Sequence, residues 1–121
     1  MSYDIEIVDP VTEEVLHTPD ESNHYIRGGT YSVNGTSEMW LNITYNYSNI
    51  ISKAFNNELG IKYIENKSAA DAIPILTKAI DLLGNDVDKD YWKPTEGNVK
   101  RALHGLLALC KIRPDGIIKI W

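Results

Sequence analysis

Trp40, Asn42, Thr44 and Asn46 stand two residues apart in an unbroken alternation. In an extended chain such residues line one face. An indole, two carboxamides and a hydroxyl would then share a face, while Met39, Leu41, Ile43, Tyr45 and Tyr47 take the other. An indole stacks on flat rings, worth roughly 1–3 kcal/mol per base in nucleic-acid complexes. A carboxamide pairs a donor with an acceptor, which suits the edge of a base or an amide. A solvated face more often carries Lys and Glu, so this one reads as a binding floor for something flat and polar. The other reading is a lightly packed sheet face, where aromatics are common.

A second set, Arg27, Gly28, Gly29 and Thr30, lies upstream. Bare glycine backbone lets N–H groups approach an anion, and a guanidinium adds a two-pronged grip on phosphate or carboxylate. The simpler reading is a bulge with a surface arginine. No Gly-Lys-Ser/Thr follows, so this is not a nucleoside-triphosphate loop, nor is it a Gly-x-Gly-x-x-Gly turn. Arg101 and Arg113 are further anion partners from the second half of the chain.

Other constellations carry less. Asp86-Val87-Asp88-Lys89-Asp90 opens like a calcium loop. However, Tyr91 stands where a glycine is required and Gly97 where a bidentate glutamate belongs, so a solvated acidic turn is expected. His17, His24 and His104 lack metal-ligand spacing. Cys110 sits in an apolar run and reads as a small buried hydrophobe. Glu38, Asp71 and Glu96 form no evident acid–base pair. A non-enzyme with no cofactor and no metal is the expectation.

The elements that must position these residues follow from periodicity. Residues 3–8 alternate as a strand. Asp9-Pro10 turns the chain, and residues 14–17 return as a short hairpin partner. Residues 25–33 read as a strand interrupted by Gly28-Gly29, and Asn34-Gly35 as the hairpin turn leading into strand 38–46. Ser48 or Asn46 is expected to cap a helix that runs to about Leu59 with Gly60 as its stop, followed by a short extended segment over 61–64. Ser68 caps the next helix, which runs to Leu83 with a kink expected at Pro74. Thr95 or Asn98 caps the last, which runs to about Lys111 with a wide apolar face. Residues 117–120 form a terminal strand. The fold class is α+β: an N-terminal antiparallel meander of three to four strands, then three helices on one sheet face and a short C-terminal strand. Residues 1–121 fit one domain, with 1–46 mainly strands and 47–121 mainly helices.

Composition bounds the partners. A net charge of −5 argues against DNA or RNA. The start of the chain lacks the basic and apolar regions of a signal peptide, and no apolar run approaches the ~18–20 residues that span a membrane. One cysteine permits no internal disulfide, which fits a reducing cytoplasm. Trp121, after apolar residues 117–120, suggests a sheet edge and a homo-oligomer.

The runs Arg27-Gly28-Gly29-Thr30-Tyr31 and Trp40 to Tyr47, with Gly97-Asn98-Val99-Lys100-Arg101-Ala102-Leu103 and Arg113-Pro114-Asp115-Gly116, resemble short proteins of bacteriophage and prophage genomes. The resemblance implies a role in the host bacterial cytoplasm. Some small phage proteins of this size counter bacterial immunity by sequestering nucleotide-like signalling molecules. The leading expectation is therefore capture of a small, planar, anionic, nucleotide-derived ligand. Trp40 would stack, Asn42, Thr44 and Asn46 would read polar edges, and Arg27, Gly28 and Gly29 would hold the anion. The alternative is an inhibitor or adaptor that docks a host protein through the same aromatic face.

Overall fold

The computed structural model describes residues 1–19 and 36–121. Strands β1 (Ser2–Val8) and β2 (Trp40–Thr44) lead, and helices α1 (Ser48–Phe55), α2 (Ala69–Leu82) and α3 (Glu96–Ile112) follow. Strand β3 (Ile117–Ile120) ends the chain. The sheet is antiparallel in the order β2-β1-β3. The terminal strand therefore pairs with the first, which makes β1 the central strand. The expected strand over 25–33 and the Asn34-Gly35 turn lie outside the described residues.

Alternation sets the two sheet faces. Ile5, Ile7, Leu41, Ile43, Ile118 and Ile120 enter one core with Ile51, Leu76, Leu103 and Leu106 of the helices. The outer face carries rows read from the register. Trp40 lies opposite Glu6, which lies opposite Lys119; Asn42 lies opposite Asp4; Thr44 lies opposite Ser2.

Local chemistry explains most element ends. Asp9 Oδ1 accepts from the N–H groups of Val11 and Thr12, closing the turn after β1. The returning segment 14–17 makes single bridges, Val8 to Val15 and His17 to Glu38, rather than a full strand. Ser68 Oγ accepts from Asp71 N and Thr95 Oγ1 from Asn98 N, so both caps are side-chain oxygens of the expected type.

Two boundaries differ from the sequence reading. Helix α1 stops at Phe55 because Asn56 takes the left-handed conformation at φ 51°, four residues before Gly60. Asn tolerates that conformation better than other non-glycine residues and can end a helix as glycine does. Residues Gly60–Ile64 then coil as a 3-10 turn rather than an extended segment, which buries Ile61 and Ile64 together.

Burial reaches three weak acids, the Tyr91 hydroxyl among them, which it raises above its ordinary 10.0. It pushes the Cys110 thiol up to about 12 from 9.0. Burial, then the neighbouring Tyr91, also raises the Tyr47 hydroxyl above its ordinary 10.0. All three groups are protonated in the folded chain where the unfolded chain would ionise. The unfolded state then binds fewer protons, and stability falls as pH rises. The Cys110 contribution is intact below pH 9.0 and fades towards pH 12. Urea unfolding at pH 7, 9 and 10 is expected to show an alkaline loss that Cys110→Ala flattens. An identical loss in the variant would assign the slope to the tyrosines alone.

Candidate functional site

The 85–95 segment is built by one side chain. Asn98, in the first turn of α3, is 5% exposed. Its Oδ1 accepts from Asp88 N at 3.0 Å, and its Nδ2 donates to the carbonyls of Asp90 and Lys93, each at 3.0 Å. The acidic residues assist. Asp86 Oδ1 accepts from Gly97 N, Asp88 Oδ1 from Asp90 N and Asp90 Oδ1 from Trp92 N. The carboxylates that mimic a calcium loop thus cap backbone N–H groups, Asp88 and Asp90 in their own turn and Asp86 at the start of α3, and Asp88 also pairs with Lys93.

The segment folded this way lays Tyr91 along β2. The Tyr91 hydroxyl donates to Asn42 O at 3.4 Å and accepts from Thr44 N at 3.3 Å, taking the place of a strand neighbour. The Tyr47 hydroxyl donates to the Tyr91 carbonyl, and the two rings stand 5.4 Å apart. Asn46 Nδ2 donates to the Trp92 carbonyl at 2.8 Å. Tyr91 and Trp92 meet edge to face at 5.2 Å, and Tyr45 packs on Tyr3 at 4.4 Å. The result is an aromatic wall at the end of β2, with Trp92 43% and Tyr45 40% exposed.

Arg101 completes this wall. It lies one helical turn beyond Asn98 and, with Tyr47, Tyr91, Asn98 and Ala102, lines a hollow of about 80 Å³. Among the described residues, no carboxylate stands within ion-pair distance of its guanidinium. Around the Tyr47 hydroxyl, Arg101 favours the ionised form and Asp90 opposes it, so both charges act on the same ring. The Asn98 carboxamide is fully used by the 85–95 segment, so the guanidinium against the Tyr47 and Tyr91 rings is the group that suits a small anion carried on a flat body.

The expected site residues divide as follows. Asn46 and Arg101 both meet the Tyr91-Trp92 corner. Trp40 stands half-buried on the outer sheet face, opposite Glu6. Asn42 and Thr44 share that face but are 3% and 1% exposed. Asn42 Nδ2 is taken by Ser2 Oγ at 2.7 Å and Asp4 Oδ1 at 2.8 Å, while its Oδ1 is buried without a partner. Thr44 Oγ1 accepts from Asn46 N and starts the 3-10 turn Tyr45–Tyr47. That turn swings Asn46 off the strand, so the four alternating residues do not form one open floor. Arg113 is held in a fork by Asp115, at 3.1 and 3.0 Å. It caps the end of α3, about 18 Å along the helix axis from Arg101 at 1.5 Å per residue, so the two do not share a hollow. Arg27, Gly28, Gly29 and Thr30 lie outside the described residues.

Tyr91, Trp92 and Asn98 were not singled out as site residues from the sequence. One signal was present: a carboxamide three residues into a helix, preceded by aspartates at every second position. That pattern describes a segment in which side chains claim alternate backbone N–H groups, here those of Asp88, Asp90 and Trp92. Two larger hollows open elsewhere: one of about 400 Å³ between α1, the end of α2 and residues 86–96, and one of about 390 Å³ between α1, Tyr63 and α2. The Arg101 corner is smaller, but a cation with no ion pair among the described residues meets the Tyr47 and Tyr91 rings there, next to the exposed Trp92. No helix among the described residues is long and apolar enough to cross a membrane. Comparison with protein-family models, curated proteins and solved structures finds no match to this chain.

Proposed function

We propose that this chain is a non-catalytic binding protein that captures a small, planar, anionic ligand of nucleotide-like chemistry at the Arg101 corner. One observation carries the reading: a guanidinium that makes no ion pair among the described residues lines a hollow walled by Tyr47 and Tyr91, beside the exposed Trp92. A hollow of about 80 Å³ seats one anionic group, not a whole nucleotide. The flat part of the ligand then lies outside it, on the Trp92 ring, where stacking adds roughly 1–3 kcal/mol. The free Asn46 carboxamide oxygen offers an acceptor to the ring edge. With the resemblance to phage and prophage proteins, the reading extends to sequestration of an immune signalling nucleotide in the host cytoplasm.

Isothermal titration against mononucleotides and cyclic signalling nucleotides tests this. Binding in the micromolar range is expected for at least one of them, weakened tenfold or more by Arg101→Glu and by Trp92→Ala. Absence of heat up to millimolar ligand across the panel would reject it.

The second reading, docking of a host protein, draws support from the outer sheet face. Trp121 is 67% exposed there, its indole N–H donates to Glu6, and Trp40 lies across the same glutamate. A stoichiometric protein partner recovered without an ultraviolet-absorbing small molecule favours this reading. A heat-released nucleotide favours the first.

A further inference from the structure

The two larger hollows adjoin. Ile50, Lys53, Ala54, Leu82, Leu83 and Glu96 contribute to one of about 400 Å³. Ala54, Phe55, Tyr63, Ile75, Lys78 and Leu82 contribute to the other, of about 390 Å³. Ala54 and Leu82 belong to both, so the hollows form one groove with Leu82 as a ridge across it. Leu82 is 63% exposed, and Ile50, Phe55, Tyr63 and Ile75 are only partly covered.

The walls are helical rows. Ile75, Lys78 and Leu82 stand at i, i+3 and i+7 of α2, and Ile50 and Ala54 at i and i+4 of α1. Two helices presenting such rows leave the space that ridges of a third helix fill. Apolar side chains one turn apart on that helix straddle Leu82 and enter one hollow each. A single alkyl chain would instead favour an enclosed tunnel, not an open groove divided by a ridge.

The rim is charged unequally at its two ends. Lys78 is the charged residue of the Phe55–Tyr63 hollow, and among the described residues it makes no ion pair. The Leu83 hollow carries Asp86 and Glu96 against Lys53. The two ends therefore call for opposite charges on an occupant. We infer that this groove docks an amphipathic helix of a partner protein. Its apolar stripe would run at i, i+3 or i+4, and i+7, with an acidic residue beside Lys78 and a basic one beside Asp86 and Glu96. The surface is separate from the Arg101 corner, so it stands whether or not that corner holds a nucleotide.

A displayed library of random sixteen-residue peptides selected on the intact chain tests the inference. Enriched sequences are expected to share the apolar spacing, with acid at one end and base at the other. Binding of the best peptide should fall at least tenfold in Leu82→Asp, a surface change that leaves the melting temperature near that of the parent. Lys78→Glu should shift selection towards a basic residue at the formerly acidic end. Failure to enrich such sequences, or peptide binding indifferent to Leu82→Asp, would overturn it. Self-association abolished by the same substitution would also overturn it, by giving the groove to a second copy of the chain.

Discussion

Asn98→Ala is expected to cost about 3 kcal/mol of folding stability, and with it the shape of the Arg101 corner. The carboxamide makes three hydrogen bonds to main-chain groups of the 85–95 segment while 5% exposed. A net contribution of about 1 kcal/mol per bond gives that figure, and poorly hydrated orphan groups would raise it. For a chain of this length the loss corresponds to a fall of roughly 10 °C in melting temperature. The consequence travels because Tyr91 and Trp92 are positioned by the same turn. Without Asn98, the Tyr91 hydroxyl loses its reason to lie on the β2 edge at Asn42 O and Thr44 N. Hydrogen exchange should therefore accelerate in 86–93 and at Thr44, with α2 little changed. A stability loss under about 0.5 kcal/mol would show that the segment is held by the aspartate turns alone.

Gly97→Ala and Gly105→Ala should act in opposite directions, although both exchange glycine for a better helix former within α3. By helix propensity alone each exchange should stabilise, by up to about 1 kcal/mol. At Gly105 a Cβ would meet nothing within 4 Å, so that gain should appear in full. At Gly97 a Cβ would stand 2.6 Å from Asp86 C and Val87 N and 2.9 Å from Asn85 C. Those atoms are backbone and cannot rotate aside as a side chain would. Either the 85–87 strand of the loop or the start of α3 must move, which also stretches the 3.1 Å bond from Gly97 N to Asp86 Oδ1. A net loss of about 2 kcal/mol is expected, within the usual range for overpacking. Chemical denaturation of the two variants beside the parent decides it. Stabilisation by both substitutions would mean that the loop does not press on the helix.

Periodicity made the strands and helices legible where burial is one-sided. Ile5 and Ile7, Leu41 and Ile43, and Ile118 and Ile120 alternate, and all of them reach the core. Caps were legible because Ser68 and Thr95 satisfy N–H groups three residues away, an interaction local in sequence. The stop of α1 was harder to read. Asn56 and Gly60 both adopt a left-handed backbone, at φ 51° and 59°, and the helix ends at the first of them.

The alternation over 40–46 shows where such reading stops. Trp40, Asn42, Thr44 and Asn46 promised one face, yet two of the four are buried and the last leaves the strand. Period two fixes which side a residue points to while the chain stays extended. It carries no record of what lies on that side or of where the strand ends. Asn42 spends its donor on Ser2 and Asp4 of the neighbouring strand, about forty residues away, a pairing that local pattern cannot encode.

By itself the amino-acid sequence determined the α+β class, the apolar faces, the helix caps and the acidic balance, because each depends on residues a few positions apart. Only the tertiary structure decided that β3 closes on β1, that Asn98 ties down the 85–95 segment, and that among the described residues Arg113 finds a carboxylate and Arg101 does not. These outcomes depend on contacts between distant segments. Which polar groups find partners is settled when the core packs, and what remains unpaired at the surface is what that packing did not use.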